Sequence, residues 1–267
     1  GETCDVFLFV VPSHAVREVA RSPAPHLKQD AILISGTKGI EPETSDLMSQ
    51  VLGDELPGRR IGVLSGPNLA REIADRQLTG SVIASQDEAV CDLVQQVMGS
   101  SYFRIYSNDD PTGVELAGTL KNIYAVLSGI AHALGLGDNT AAMLITRSLA
   151  EMSRYAAAQG ANPASYLGLS GVGDLIATCS SPLSRNYQIG LRVGQGMSIE
   201  QAVADLGQTA EGVNTTSVIY HRARQLGINM PLCQGLYEVL YDSRPVKEVI
   251  AALMDRDQTQ DVEYKVN

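Results

Sequence analysis

Pro111-Thr112-Gly113-Val114-Glu115-Leu116-Ala117-Gly118-Thr119-Leu120-Lys121-Asn122 is the stretch at which the chain changes character. An apolar run over 123–136 continues it. Asp109 and Asp110 offer N-cap oxygens, Pro111 suits a first helical turn, and Gly135 and Gly137 end the pattern. The spacing predicts one long helix over 111–136. Lys121 stands near its middle with almost no charge around it. Gly118, Ala125, Ser128 and Gly129 share its face at intervals of three and four. Small residues around a single lysine let another backbone or a small molecule come close. Such a lysine loses solvation, and desolvation draws its pKa down toward the range useful for proton transfer. The same pattern also suits a lysine that stretches from a core helix to reach water.

On the amino-terminal side, short β-rich runs alternate with helical patterns. Strands are expected over 5–11, 31–37, 60–65, 81–85 and 102–106, and helices over 15–27, 43–52, 69–76 and 86–98. Near-continuous apolar strands separated by helices predict a parallel sheet covered on both faces. Ligands of such sheets bind at the carboxyl ends of the strands. Those ends here read Val11-Pro12-Ser13-His14, Ser35-Gly36-Thr37-Lys38-Gly39-Ile40-Glu41 and Ser65-Gly66-Pro67-Asn68-Leu69-Ala70. Lys38 between glycines suits an anion or a carbonyl oxygen. Ordinary turn chemistry explains the same residues.

On the carboxyl-terminal side the strand signal stops. Further helices are expected over 140–159, 175–179, 186–193, 198–206, 215–226, 232–241 and 246–256, with Ser198 and Gln201 forming a capping box. The fold class expected is therefore α/β, a partial Rossmann-type sheet domain over 1–108 and an all-helical domain over 109–267, hinged at 107–110. Residues from about 258 are expected to fray. Within the helical half lies Gly168-Leu169-Ser170-Gly171-Val172-Gly173-Asp174-Leu175, with Thr178 one turn beyond Asp174 and facing the same way. Ser184-Arg185-Asn186 sets a hydroxyl, a forked cation and an amide at a helix start. That is chemistry for phosphate, and equally a capped helix with a solvated arginine. Glu211-Gly212 reads as a contact or a turn. Gly135-Leu136-Gly137 and Gly171-Val172-Gly173 follow no strand and complete no Gly-x-Gly-x-x-Gly, so neither is a pyrophosphate loop.

The 267 residues carry a formal net charge of −10, which argues against nucleic acid and anionic membranes as partners. No apolar run is long enough to span a bilayer, and no signal peptide is expected. Cys4, Cys91, Cys179 and Cys233 are scattered singly and read as buried thiols of a cytoplasmic protein. The four histidines have no metal-ligand spacing, so no metal site is expected.

Taken together, the motifs resemble those of bacterial NAD(P)-dependent glycerol-3-phosphate dehydrogenases. The matches are Val11-Pro12-Ser13, Lys38-Gly39-Ile40-Glu41, Gly66-Pro67 with Ala70, Gly113-Val114-Glu115 through Leu120-Lys121-Asn122, Gly173-Asp174-Leu175 with Thr178-Cys179, Ser184-Arg185-Asn186, and Glu211-Gly212. Their order spans nearly the whole chain. The resemblance implies an enzyme that interconverts dihydroxyacetone phosphate and sn-glycerol 3-phosphate with NAD or NADP, supplying phospholipid synthesis. It implies that Lys121 is the proton donor and acceptor, with Lys38 and Asp174 beside it. It implies substrate contacts from Lys38, Gly66, Asn68, Lys121, Asn122, Asp174, Thr178, Ser184, Arg185 and Asn186. Cofactor contacts are implied for Pro12, Lys38, Ala70, Arg185, Thr209 and Glu211.

Two departures stand out. Asn68 lies where the family usually has a small hydroxyl residue. The family also opens with a strand, a Gly-x-Gly-x-x-Gly loop, a helix and a second strand, whereas this sequence opens at what is then a central strand. The expectation is that strand 5–11 becomes a sheet edge, and that this exact chain binds nicotinamide weakly and turns over little. Two other readings are a related hydroxyacid or 6-phosphogluconate-type dehydrogenase, and a non-catalytic fragment or helical oligomerisation or ligand-binding module. The apolar helices also suit a homodimer.

Overall fold

Five short strands form one sheet in the order β1-β2-β3-β4-β5. They are β1 (Val6–Phe9), β2 (Ile32–Ser35), β3 (Arg60–Ser65), β4 (Thr79–Ala84) and β5 (Phe103–Asn108) in this computed structural model, which describes residues 4–208 and 210–256. β2 is buried along its whole length, as its unbroken apolar sequence requires. β1 lies at one edge, with Leu8 and Val10 exposed. Helices α1 (Val16–Arg21), α2 (Met48–Glu55), α3 (Ala70–Ala74) and α4 (Glu88–Met98) connect the strands.

The sheet corrects the expectation of all-parallel strands. β1, β2 and β3 are parallel, but β4 runs antiparallel to β3, and β5 follows β4. The reason lies in the connection after β3. Its only helix, α3, rises about 7.5 Å at 1.5 Å per residue, against about 20 Å for a six-residue strand. It cannot carry the chain back to the far edge, so β4 enters beside the end of β3. That reversal brings the start of β4, Thr79 to Ser81, to the edge where β1 to β3 end.

Two expected helices differ most in their bounds. The pattern over 15–27 breaks into a 3-10 turn at Ser13–Ala15, α1, and a second 3-10 turn at Ala24–His26, because Pro23 and Pro25 cannot continue a helix. The pattern over 43–52 begins only at Met48. Before it, Glu41 N–H donates to Asp46 O (2.9 Å) and Ser45 takes φ +64°, closing a loop whose ends pair as Ile40 with Leu47.

The helical half comprises α5 (Pro111–Ala133), α6 (Asp138–Ala158), α7 (Asp174–Ser180), α8 (Arg185–Gly194), α9 (Ile199–Leu206), α10 (Glu211–Leu226), α11 (Pro231–Leu240) and α12 (Val246–Met254). The expected bounds shift by a few residues at most, and the Ser198–Gln201 capping box is present. Asp110 caps α5 by accepting from Gly113 N–H (2.9 Å), and Gly135 at φ +69° follows its end. The stretch 107–110 is not a free linker: Ser107 and Asn108 belong to β5, and Asp110 also accepts from Asn162 N–H and Ser165 Oγ (2.9 and 2.8 Å). The residues from about 258, expected to fray, lie outside the described residues, which end at 256.

α5 is the axis of the molecule. Its first turns pack Val114 against Val63, Val82 and Ala84 of the sheet. Farther along, Leu120, Ile123, Tyr124 and Val126 are fully buried among Met152, Leu175, Ile189, Ile219 and Leu236. The small face expected on α5 is used twice. A Cβ at Gly118 would lie 2.6 Å from Ser65 Oγ and 3.4 Å from Lys38 Cγ, so the sheet edge abuts there. One at Gly129 would fall 2.1 Å from Tyr187 O, so α8 crosses there backbone to backbone.

Candidate active site

Lys121 is buried on α5, and its ammonium donates to Asp174 Oδ1 and to Thr178 Oγ1 (2.5 Å). Asp174 and Thr178 are one turn apart on α7 and face the same way, as their spacing requires. Lys38, on the loop after β2, donates to the other carboxylate oxygen, Asp174 Oδ2 (2.6 Å), and to Gly66 O (2.6 Å). One buried aspartate therefore bridges two lysines from different elements. An ammonium has three donors. Each lysine spends two on the protein and keeps one.

Burial lowers Lys121 to about 8. The Asp174 charge works against that fall, and the Lys38 charge adds to it. The desolvation read from the sequence is thus realised, and the lysine does not reach out to water.

Asn122 holds this cluster to the helices behind it. Its Nδ2 donates to Lys38 O (3.0 Å), and its Oδ1 accepts from Asn186 Nδ2 (2.9 Å). Asn186 Oδ1 in turn accepts from Gly212 N–H (2.9 Å). Ser184 caps α8 by accepting from Tyr187 N–H (3.3 Å). Arg185, the first residue of α8, is exposed and makes no hydrogen bond or ion pair with the described residues.

At the sheet edge, Gly66 turns at φ +135°. Asn68 Nδ2 donates to Ser81 Oγ (3.0 Å), which donates to Ser65 O (2.9 Å). Ser65 Oγ and Asn68 Oδ1 are buried without a partner. Ala70 opens α3 and is exposed, as is Pro12 before the 3-10 turn. Ser13 joins the halves: its N–H and Oγ donate to the two carboxylate oxygens of Glu211 (3.0 and 2.7 Å) at the start of α10. Gly39 lies in that gap, where a Cβ would fall 2.5 Å from Ser13 Cβ. Thr209 lies outside the described residues.

Some motif residues are placed away from the cluster. Glu41 is held by a two-pronged ion pair with Arg17 (2.6 Å on each nitrogen). Glu115 accepts from Ser49 N–H (2.9 Å) and Oγ at the start of α2, and burial raises it to about 7. Sequence reasoning passed over Glu151, whose carboxylate accepts from Leu232 and Cys233 N–H (2.6 and 3.2 Å) and Tyr124 OH (3.1 Å). Burial raises it, too, to about 7. Its signal was an acid at a core-facing helical position. The cysteines are free, and three are buried, but Cys4 is exposed, against expectation.

Strands that end on glycines, a lysine and hydroxyls, facing a helical half with a buried lysine–aspartate–lysine cluster, define a two-domain dehydrogenase of the Rossmann-like class. Residues 1–91 match the family model "NAD-dependent glycerol-3-phosphate dehydrogenase N-terminus", and residues 110–251 the corresponding "C-terminus". The chain belongs to this family and is an NAD(P)-dependent oxidoreductase. It is 54% identical to the glycerol-3-phosphate dehydrogenase [NAD(P)+] of Saccharophagus degradans over 98% of this chain and 74% of that protein. It is 55% identical to that of Teredinibacter turnerae over 98% of this chain and 77% of that protein. The crystal structure of glycerol-3-phosphate dehydrogenase from Coxiella burnetii superposes with a TM-score of 0.90 at 35% identity, covering 94% of this chain and 77% of that one.

Proposed function

We propose that the protein interconverts dihydroxyacetone phosphate and sn-glycerol 3-phosphate, and that its product supplies the glycerol backbone of phospholipids. The observation that carries this reading is the carboxylate of Asp174 held between Lys121 and Lys38 in a buried site. Two ammonium groups and one carboxylate leave one net positive charge where a ketone oxygen gains electrons. In a site shielded from water, that charge stabilises a developing alkoxide strongly.

Lys121 delivers the proton to the substrate oxygen in reduction and removes it in oxidation, through the N–H that Asp174 and Thr178 do not occupy. Lys38 directs its remaining N–H toward the same oxygen or a neighbouring hydroxyl. Asp174 favours the charged form of Lys121 and aims both ammonium groups. Arg185, with Ser184, Asn186 and the first amides of α8, holds the phosphate, so binding energy at the remote end positions the reacting carbon. The Arg185 guanidinium, exposed and unpaired among the described residues, supports that role.

A nicotinamide cofactor, when bound, supplies or accepts the hydride. The residues here suit such a group: Ser65 Oγ and Asn68 Oδ1 are buried at the strand edge with no partner among the described residues, and would accept a hydrogen bond from a polar ligand. Pro12, Lys38, Ala70, Arg185, Thr209 and Glu211 are the residues that would hold it. Asn68, despite its departure from the usual hydroxyl, still presents a free acceptor there.

The test is the fall of NADH or NADPH absorbance when dihydroxyacetone phosphate is added. Turnover lost in Lys121→Ala with the fold intact supports the reading. Full turnover in that variant would sink it.

A further inference from the structure

Asp174 reaches its place from an unusual direction. The five residues before it, Leu169–Gly173, form a π-helical turn, in which Gly173 N–H donates to Gly168 O (3.3 Å). Such turns are rare, and when found they often sit at working sites. This one is wedged from behind, because a Cβ at Gly171 would fall 2.2 Å from Tyr166 O and 2.4 Å from Tyr166 Cα. In front, Leu169 extends across the gap to the sheet. Its side chain packs on Val63, Val82, Ala84 and Val114, and its Cδ1 would lie 2.9 Å from a Cβ at Gly80. Glycine at position 80 therefore makes the notch that Leu169 fills.

The notch lies next to the reactive edge. The reversed β4 puts Gly80 and Ser81 beside Gly66, where a Gly66 Cβ would meet Ser81 Cα at 3.1 Å and Gly80 O at 3.4 Å. Gly66 O is one of the two acceptors of Lys38, and Asp174 is the other. A π turn that relaxes to α geometry shifts its register by one residue, which rotates the next side chain by about 100°. Asp174 would then leave both lysines.

We propose that Leu169, seated in the notch at Gly80, is a positioning residue that holds the π turn in register and so keeps Asp174 between Lys121 and Lys38. The arrangement adds an apolar contact between the helical half and the sheet beside that of Val114. The catalytic consequence rests on the function proposed above; the geometric one does not.

The experiment compares Leu169→Ala, Leu169→Met, Gly80→Ala and the double variant Gly80→Ala/Leu169→Ala. The first readout is the titration of Lys121, followed by NMR with side-chain-labelled lysine in the cofactor-free protein. The sequence has five lysines, Lys28, Lys38, Lys121, Lys247 and Lys265, and Lys121→Arg assigns the signal. Leu169→Ala and Gly80→Ala are expected to move that titration downward, because Asp174 no longer holds the charged form. Leu169→Met should restore it, and the double variant should recover relative to Gly80→Ala, since the clash is gone. With dihydroxyacetone phosphate and NADH, kcat should fall roughly tenfold in Leu169→Ala and in Gly80→Ala while KM changes less, and Leu169→Met should stay near the unaltered protein. An unmoved Lys121 titration in folded Leu169→Ala and Gly80→Ala would overturn the proposal, as would a double variant whose losses simply multiply. If Leu169→Ala does not fold, Leu169→Met and Leu169→Val give a graded series on the same readout. Absence of turnover in the unaltered protein would count against the proposed function and leave the titration as the test of Leu169.

Discussion

Asn186 donates a hydrogen bond to Asn122 Oδ1 at 2.9 Å, deep between α8 and α5. Each asparagine adjoins a charged residue in sequence, Asn122 next to Lys121 and Asn186 next to Arg185. The bond therefore ties the start of α8, where Arg185 lies, to the helical turn that carries Lys121. On the proposed function, the phosphate ester would span these two cations, which requires that their separation be held.

Breaking that tie should cost both binding and rate. In Asn122→Ala the Lys38 carbonyl and the Asn186 amide lose their partner, at about 1–3 kcal/mol for buried polar groups left unsatisfied. The expected outcome is a loss in kcat/KM of about 10-fold to 100-fold. Steady-state kinetics beside far-UV circular dichroism checks it, and unchanged kinetics would remove Asn122 from the site.

The pH dependence has a definite sign. Lys121, lowered to about 8, is charged below that pH and neutral above it. Ketone reduction needs the charged acid, so its kcat should fall as pH rises through about 8. Oxidation of the alcohol needs the neutral base and should rise over the same interval. Initial rates in both directions between pH 6 and about 10 test this. Parallel profiles in the two directions would show that another group limits the rate.

Gly118 and Gly190 should respond differently to alanine. At Gly118 the added Cβ meets Ser65 Oγ at 2.6 Å and Lys38 Cγ at 3.4 Å, so Gly118→Ala should lower kcat while helix propensity offsets part of the strain. At Gly190 it meets Val126 O at 1.9 Å, backbone against backbone. Gly190→Ala should therefore destabilise by roughly 2 kcal/mol or more. Thermal melts and kinetics on both variants separate the two effects.

Glu115 makes stability depend on pH. Burial raises it from 4.5 to about 7 in the folded protein. Between those values the folded state binds the proton that the unfolded state has released. The contribution is full below pH about 4.5 and is lost as pH rises through about 7, on the order of 3 kcal/mol in all. Glu151 has the same sign. Glu115→Gln keeps an acceptor for Ser49 N–H and gains a donor for its hydroxyl, so it should flatten part of the decline. Denaturant melts at pH 5 and about 8 measure it, and an unchanged slope would show that Glu115 does not titrate in that range.

Much of the candidate site's local geometry was legible because its residues lie in local patterns. Lys121 on a small-residue face, Thr178 one turn from Asp174, and Ser184 at a helix start all follow from helical periodicity. What stayed hidden depends on distance between elements. Nothing near Ser13 announces Glu211, and nothing in the Gly113-Val114-Glu115 motif says that its acid caps α2. The orientation of β4 was misread for a similar reason: strand composition reports burial, whereas direction depends on how far the connecting helix can carry the chain.

The sequence by itself determined the alternation of strands and helices, the change to an all-helical half at Pro111, the long apolar helix around Lys121, and the resemblance to a dehydrogenase family. These rest on periodicity and turn chemistry within a few residues. Only the tertiary structure decided that Lys38 and Lys121 share one carboxylate, that Asn122 and Asn186 meet, and that Leu169 fills the notch at Gly80. Those contacts join residues far apart in sequence, and they form only when α5 carries Lys121 to the edge where β2 and β3 end.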